Sequence, residues 1–273
     1  MQEITDVDEL HKVGLNMLTY INNICEKNKI DYFAISGTLL GAIRHNGFIP
    51  WDDDIDIACT RENYFKLIKA IEDDKNERYK VMTLDTEGYY WPYAKLCDTY
   101  TVAVEKNAKT PDDYGAFIDI FYYDKLPDNN KIIHKAYIKG KRYMKYIGVN
   151  VIETKVEHNN IFKQSIRKII YIFTNLFNAK KIIRHYQNIH YKYTDDNGKF
   201  GISIWPCYSE EKEIQLWNNL TEIEDHKFEN ITIKVPKNYD DVLKIQFGDY
   251  MKLPKKEFQK RSHNIRFYYK EEF

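Results

Sequence analysis

Apolar residues recur every three or four positions over the first part of the chain. In residues 5–29 they include Leu10, Val13 and Ile21, and acidic residues occupy the first turns. Because side chains at this spacing share one face of a helix, the pattern predicts an amphipathic opening helix. Residues 61–74 return to the same periodicity and predict a further helix.

Short apolar runs lie between and after these helices. DYFAIS ends at Gly37, TLLGAIRH (38–45) has the length of a short helix that begins after this glycine, and DDDIDIAC alternates isoleucine with aspartate. The runs YKVMTL, WPYAKL, TVAVEK and AFIDIFYY follow between residues 78 and 124. The order helix, strand, helix, strand, helix and further strands predicts an α/β or α+β fold, in which helices flank a mixed β-sheet.

The 41 basic and 41 acidic side chains balance, but they are unevenly distributed. Residues 131–192 hold fourteen Lys or Arg against two Glu, a local charge of 14 − 2 = +12, and their apolar residues have helical spacing. We therefore predict three parts: a core (1–128), a basic helical insertion (129–198) and a C-terminal part that completes the core (199–273). A basic helical surface suits peripheral contact with an anionic membrane, and the solvated face of a helical subdomain is the alternative interpretation.

Cysteine spacing and hydropathy indicate the compartment. Cys25, Cys59, Cys97 and Cys207 are widely scattered and form no CxxC pair, which argues against a disulfide framework and against a zinc site. The N-terminal segment MQEITDVDEL lacks the apolar region of a secretory signal, and no run of 18 apolar residues occurs. We expect a cytoplasmic protein that is at most peripheral on the inner face of the cell membrane.

The segment DDDID carries the most specific chemical pattern. Residues two apart in a strand point to the same face, so Asp54 and Asp56 are predicted to present two carboxylates on one side while Ile55 and Ile57 face the core. Asp52 joins that face if the strand begins early. A divalent cation relieves the repulsion between such carboxylates, and hard oxygen ligands favour Mg²⁺ or Mn²⁺ over Zn²⁺.

Two neighbouring features complete the predicted site. Asp119 lies in the apolar run FIDIF and is the candidate third carboxylate of a two-metal site, although a buried aspartate paired with Lys or Arg is the alternative. Gly37 allows close approach of the backbone to a phosphate. Thr38 then opens a helix whose N-terminal N–H groups can receive that phosphate.

Five further residues are substrate-binding candidates or have a competing structural explanation. Arg44 is predicted to clamp a phosphate or to pair with a nearby aspartate. His45 is predicted to contact the nucleotide or to act as a simple charge at the C-terminal end of a helix. Lys95 falls in an apolar strand and needs a counter-charge from a substrate pyrophosphate or from the acidic cluster. Trp91 and Tyr93 suit an aromatic cage for a quaternary ammonium, or simply the core.

Asp124 and the segment 247–254 lie outside the acidic stretch, and their patterns are less specific. Asp124 is interpreted mainly as a turn residue before Lys125-Leu126-Pro127. The segment FGDYMKLP (247–254) is predicted to fold back near the site. The histidines other than His45 show no ligand spacing and receive no role.

The stretch YFAISGTLLGAIRHNGFIPWDDDIDI closely resembles the signature of the LicD family, the lipopolysaccharide choline phosphotransferases, whose distant relatives are fukutin and the fukutin-related protein. YAKLCDTYT, FIDIFYYD and FGDYMKLP resemble further motifs of the family. The resemblance covers most of 10–125 and 225–265. Gly37 and Asp54 stand 17 residues apart, a longer gap than in the general nucleotidyltransferase pattern though typical of LicD-like proteins.

This resemblance implies a nucleotidyltransferase-like catalytic core. It also implies that Asp54 and Asp56 are the metal-binding pair and Asp119 the third acidic residue. Asp52 and Asp53 either bind a metal-bound water or tune the charge of the pair.

The implied reaction moves a substituted phosphate from a CDP-activated alcohol to a hydroxyl of a glycan or lipid-linked glycan and releases CMP. CDP-choline is the first expected donor, and CDP-glycerol or CDP-ribitol would need the same metal chemistry. We expect no nucleic-acid partner.

Three rival functions remain at this stage. A nucleotidyltransferase would share the core but would leave the nucleotide on the acceptor and release pyrophosphate. A glycosyltransferase would use an Asp-x-Asp metal site with a sugar nucleotide, but residues 1–50 are too short for its usual preceding nucleotide-binding half. A non-catalytic nucleic-acid-binding module would use the basic insertion.

Overall fold

The structure is a computed structural model that describes residues 1–105, 110–151, 179–261 and 265–270. Part of the predicted basic insertion, residues 152–178, therefore lies outside the described residues. The helices in the described ranges are α1 (Val7–Asn28), α2 (Ser36–His45), α3 (Arg61–Asp74), α4 (Asn130–Val151), α5 (Ala179–Tyr191), α6 (Glu210–Glu213), α7 (Trp217–Thr221) and α8 (Tyr239–Phe247). A short 3₁₀ turn covers Lys256–Phe258.

The strands in the same ranges are β1 (Gln2–Glu3), β2 (Phe33–Ala34), β3 (Asp56–Thr60), β4 (Tyr79–Met82), β5 (Ala94–Asp98), β6 (Thr101–Glu105), β7 (Ala116–Leu126), β8 (Phe200–Ser203), β9 (Gln215–Leu216), β10 (Ile223–Phe228), β11 (Ile231–Pro236) and β12 (Ile265–Tyr269). The main sheet has the order β2-β3-β7-β5-β4, and β8 joins it by pairing with both β7 and β9. Strands β3 and β7 run parallel, whereas the other pairs in this sheet are antiparallel. The predicted mixed sheet flanked by helices is confirmed.

The opening helix shows how local sequence fixes the packing around this sheet. Asp6 caps α1 by accepting a hydrogen bond from the Asp8 N–H at 3.0 Å, and Lys29 ends the helix in the left-handed conformation at φ 55°. The buried stripe that includes Met17, Leu18 and Ile21 then packs in the main core beneath β7. The amphipathic pattern of residues 5–29 thus predicted both the helix and its buried face.

Two element boundaries near the acidic segment differ from their predictions. Helix α2 begins at Ser36, two residues earlier than expected, after an extended Ile35. Strand β3 begins at Asp56, so Asp54 precedes the strand instead of lying within it. The cause is a turn, closed by the Asp52 N–H donating to the carbonyl of Ile49 at 2.9 Å, which delays sheet pairing until the Asp119 N–H reaches the carbonyl of Ile55 at 2.8 Å.

The described part of the basic insertion is helical, as predicted. Helices α4 and α5 pack against each other, with the rings of Tyr143 and Tyr186 stacked at 4.7 Å. Tyr186 is fully buried, and its hydroxyl donates to the carbonyl of Ile204 at 2.6 Å. The insertion is therefore tied to the segment that follows β8. No helix in the described ranges is both long and apolar enough to cross a bilayer.

Candidate active site

Sheet register brings three charged residues into one row across the main sheet. Asp56 of β3 pairs with Asp119 of β7, and Asp119 in turn pairs with Lys95 of β5. Directly paired residues on neighbouring strands project to the same face, so these side chains meet although they are far apart in sequence. The Lys95 ammonium hydrogen-bonds Asp119 Oδ1, and the two side chains are only 5% and 11% exposed.

Lys95 and Asp119 form an ion pair, and the predicted role of Asp119 as a metal ligand stays a prediction beside it. The counter-charge of Lys95 is the acidic cluster, through Asp119, and Asp119 is itself a mostly buried aspartate paired with a lysine. The Lys95 nitrogen also lies 3.5 Å from the centroid of the Phe117 ring. A cation clamped in this way fixes the orientation of Asp119. The predicted role of Lys95 in binding substrate stays a prediction.

A second group of carboxylates comes from the loop that leads into β3. Asp52, Asp53 and Asp54 each offer an oxygen within 4.8 Å of the others. His11 Nε2 hydrogen-bonds the carbonyl of Asp52 at 2.8 Å and anchors this loop to α1. A set made only of carboxylate oxygens has the chemistry that Mg²⁺ and Mn²⁺ prefer. Among the described residues, the carboxylates close enough together to share a metal ion thus lie at three adjacent loop positions. Of the predicted pair, Asp54 lies in this loop and Asp56 lies in the strand.

One open cleft collects the carboxylates from both the loop and the sheet. Its volume is about 490 Å³. The polar positions that line it are Ser36, Gly37, Asp52, Asp54, Asp56, Asp119, Ser203, Cys207 and Glu213. The structure therefore brings the start of α2 together with the predicted aspartates, as the sequence pattern required.

The acidic residues in this cleft repel one another. Burial raises the pKa of the Asp56 carboxyl well above its usual value, and the charges of Asp54, Asp119 and Asp52 raise this pKa further. The positive charge of Lys95 opposes them. A single ammonium thus does not offset the negative charge around Asp56, and a bound divalent cation would favour its ionised form.

Gly37 and Thr38 have different roles at the start of α2. Thr38 is buried, and its hydroxyl accepts a hydrogen bond from the Asp56 N–H at 2.8 Å, so it positions the strand and does not line the cleft. Gly37 lines the cleft, and a Cβ built there would lie 2.4 Å from Asp52 Oδ2. The Asp52 carboxylate therefore occupies the space beside the first turn of α2. The prediction that a phosphate binds at this helix end stays a prediction.

Arg44 and His45 lie at the other end of α2 and are not among the residues that line the cleft. Arg44 donates from Nε to His45 Nε2 at 3.0 Å and from Nη1 to the carbonyl of Tyr250 at 2.9 Å. This contact holds the segment that includes Phe247, whose ring does line the cleft. The segment 247–254 thus folds back near the site as predicted, while the substrate contacts proposed for Arg44 and His45 stay predictions.

Sequence analysis missed a buried glutamate in the wall of the cleft. Glu213 is 3% exposed and accepts a hydrogen bond from the Tyr208 N–H at 3.2 Å. Burial raises the pKa of this carboxyl to about 7, although backbone N–H groups of Tyr208, Ser203 and Cys207 oppose the shift. The run EEKE is typical of an exposed helical turn, so no signal in the sequence distinguished its last residue.

A buried ionic network at the far end of β7 was also missed. Asp124 lies inside the strand, not in a turn, and its carboxylate accepts two hydrogen bonds from Arg61 at 2.5 Å and one from His190 at 2.5 Å. Burial acts to raise the Asp124 pKa, but the hydrogen bonds and charges of Arg61 and His190 lower it to about 2. The network ties α3 and α5 to the sheet.

Comparison with known proteins identifies one matching family and several similar proteins. The family described as LicD/FKTN/FKRP, nucleotidyltransferase domain, matches residues 29–153, which include Asp54, Asp56, Lys95 and Asp119. The chain is 30% identical over 268 residues to the lipopolysaccharide cholinephosphotransferase LicD of Haemophilus influenzae, covering 96% of this chain and 97% of that protein.

Two uncharacterized rickettsial proteins match shorter parts of the chain. The protein of Rickettsia prowazekii is 34% identical over 117 residues, 42% of this chain and 41% of its own length. The protein of Rickettsia typhi is 40% identical over 103 residues, 38% of this chain and 33% of its own length. Because the Haemophilus relative matches along nearly its whole length and the family description matches the cleft region, the chain belongs to the LicD family.

Proposed function

We propose that this protein transfers phosphocholine from CDP-choline to a hydroxyl of a cell-surface glycan precursor and releases CMP. The observation that carries this proposal is the match to the Haemophilus cholinephosphotransferase, which covers 96% of this chain and 97% of that enzyme. The donor head group, the acceptor and the leaving group are inferences for this chain from that relationship.

The cleft suits a divalent metal, which we propose to be Mg²⁺ or Mn²⁺. Asp54 and Asp56 would hold it, with Asp119 and Asp52 in support, because all four line one cleft and offer only hard oxygen ligands. The raised pKa of Asp56 supports this assignment, since burial and the neighbouring carboxylates both disfavour its charged form and a bound cation would relieve both effects. When bound, the cation would offset charge on the donor pyrophosphate and on the departing CMP.

The side chains of the chain itself supply the remaining chemistry. The acceptor oxygen attacks the phosphorus that bears choline, the bond from that phosphorus to the bridging oxygen breaks, and CMP departs with the bridging oxygen. The proton of the attacking hydroxyl passes to a cleft carboxylate, either Asp56 or Asp119. Lys95 holds Asp119 in position.

Product analysis tests this proposal. The protein is incubated with Mg²⁺ and either CDP-choline, CDP-glycerol, CDP-ribitol or CTP, with a glycan acceptor or with water as the default acceptor, and the phosphorus products are followed by NMR. We expect CMP from CDP-choline, loss of turnover with EDTA and recovery with Mg²⁺ or Mn²⁺. Release of pyrophosphate from CTP, with no CMP from any CDP-alcohol, would instead indicate a nucleotidyltransferase.

We further propose that the acceptor is a lipid-linked glycan, reached by peripheral contact with the inner face of the cell membrane. Exposed basic side chains on α4 and α5 support this, among them Lys135, Arg142, Lys145 and Lys181. Vesicles with and without anionic lipid test the contact, and the expected result is co-sedimentation with the anionic vesicles that falls with added salt. Equal binding to neutral vesicles, or retention of duplex DNA at moderate salt, would contradict it.

A further inference from the structure

Aromatic rings line the same cleft as the carboxylates. They belong to Tyr93, Phe121, Tyr123, Trp205, Tyr208 and Phe247. The rings of Tyr93 and Trp205 are 5.7 Å apart and inclined at 62°, so they form the two sides of a corner. Trp91 packs edge-on against Trp205 at 5.3 Å and supports it without lining the cleft itself.

The segment that carries Trp205 is fixed by the basic insertion. Helix α4 provides Tyr137, whose hydroxyl donates to the carbonyl of Tyr208 at 2.9 Å, and Lys141, whose ammonium donates to the carbonyls of Pro206 and Cys207 at 3.3 Å. Glu213 holds the Tyr208 N–H from the other side. A wall tied down by several elements keeps its rings in place before a ligand arrives, which lowers the cost of binding.

Close packing reinforces these hydrogen bonds. A Cβ built at Gly140 of α4 would lie 2.7 Å from Cγ of Pro206. The helix therefore approaches the segment as closely as only a glycine permits. The basic insertion, which the sequence marked by its charge, thus also supports one wall of the cleft.

The combination of aromatic faces and carboxylates selects one chemical class of cation. A quaternary ammonium has no N–H, so carboxylates attract its charge but cannot hydrogen-bond to it, and ring faces contact its methyl groups well. A primary ammonium would instead prefer hydrogen-bond acceptors. Asp119 and Glu213 line the same cleft as Tyr93 and Trp205. The corner is therefore aromatic and shares its cleft with carboxyl groups.

We propose that the corner formed by Tyr93 and Trp205 is the subsite that recognises the trimethylammonium group of the donor. This assignment rests on the proposed phosphocholine transfer and deepens it. The indole ring of Trp205 provides the larger aromatic face of this subsite. The ring of Tyr93 forms its second wall, in the cleft that the carboxylates also line. Of the pair Trp91 and Tyr93 that the sequence indicated, Tyr93 contacts the ligand, and Trp205 takes the place predicted for Trp91.

Substitution of Trp205 tests the subsite in the full-length protein. Binding of CDP-choline, CDP-ethanolamine and CDP is measured by calorimetry with Mg²⁺ for the wild type, Trp205→Leu and Trp205→Phe. The matched control is Trp217→Leu, which removes a tryptophan of α7 that does not line the cleft. We expect Trp205→Leu to weaken CDP-choline binding roughly 3- to 30-fold, the usual range for a lost cation–π contact, and to leave CDP binding within about twofold.

The other variants and donors distinguish a wrong subsite from a wrong transfer reaction. Trp205→Phe keeps an aromatic face and should retain most of the preference for CDP-choline over CDP-ethanolamine, and Trp217→Leu should retain it fully. If Trp205→Leu keeps the wild-type preference, or loses affinity for CDP and CDP-choline equally, the subsite is wrong while the transfer reaction stands. If the wild type binds and turns over none of the CDP-alcohols, the proposed function itself fails.

Discussion

The two ends of the β3–β7 strand pair hold carboxylates in opposite electrostatic states. At one end, Asp56 sits among other aspartates, and burial together with their charges raises its pKa. At the other end, Asp124 is met by Arg61 and His190, and its pKa falls to about 2 despite burial. Both residues occupy the same sheet, so the difference comes from their neighbours.

This contrast distinguishes a structural carboxylate from a functional one. The Arg61–Asp124–His190 network already contains the cations that its carboxylate needs, and it joins two helices to the sheet. The cluster around Asp56 contains one lysine, paired with Asp119, and leaves a surplus of negative charge facing a cleft. A protein retains such a surplus where a ligand supplies the missing charge.

Replacing the structural carboxylate should have the largest effect. We expect Asp124→Asn to lower the free energy of unfolding by roughly 3–5 kcal/mol, because Arg61 loses its anionic partner in a buried site. Turnover per folded molecule should change little. Denaturant unfolding measures the loss, and Asp73→Asn, which breaks an exposed pair with Lys69, is the control expected to cost under about 1 kcal/mol. Equal losses in the two variants would remove the distinction drawn here.

The functional carboxylate should show the reverse behaviour. We expect Asp56→Asn to lower turnover about 10²- to 10³-fold, because it removes a proposed metal ligand and one of the two candidate bases, and to leave the unfolding free energy unchanged or higher, because it relieves repulsion. CMP release and denaturant unfolding are measured on the same preparations. Asp54→Asn should behave in the same way. Near-normal turnover in both variants would reject the site.

Glu213 is a third case, a cleft carboxyl that is held by backbone N–H groups, and its titration can be compared with that of Asp56 and Asp124. Its pKa is about 7 in the folded protein, above the ordinary value, so its contribution to stability is fully present below about pH 4.5 and is lost as the pH rises through 7. Glu213→Gln should remove this dependence, which amounts to on the order of 2–3 kcal/mol between pH 4.5 and 8.

The measurement for Glu213 is the unfolding free energy of the two proteins at several pH values. Lys141, Tyr208 and Cys207 also act on or near this carboxyl, and Lys141 favours its charged form. These groups are unchanged in the variant, so the difference between the two curves isolates Glu213. Parallel curves would show that Glu213 titrates in the ordinary acidic range.

The smallest effect is expected at the link between α2 and β3. Thr38→Val keeps the shape of the side chain but removes the acceptor of the Asp56 N–H. We expect a loss of roughly 1–2 kcal/mol in stability and a fall in turnover of no more than about tenfold, since Asp56 keeps its carboxylate but loses part of its positioning. Thr38→Ser, which retains the hydroxyl, should preserve turnover. A loss as large as that of Asp56→Asn would mean that Thr38 contacts the substrate directly.

The features that depend on local periodicity could be predicted from the order of residues alone. It predicted α1, the mixed sheet with flanking helices, and helices in the described part of the basic insertion, because the repeats of apolar residues reveal which faces are buried. It also placed Asp56 and Asp119 in strands and identified the family, because the acidic motif is short and contiguous. Alternation alone did not reveal that β3 begins at Asp56, since a turn at Asp52 competes with the strand.

The contacts between residues far apart in the chain could not be predicted and are seen in the folded protein. His190 reaches Asp124 across 66 positions, and Tyr137 reaches the segment carrying Trp205 across a gap of similar length. These contacts depend on how helices dock on the sheet, and no spacing in the sequence encodes them. The charge state of each carboxylate depends on the neighbours that folding brings to it. The sequence therefore shows which residues are carboxylates but does not show how each one titrates.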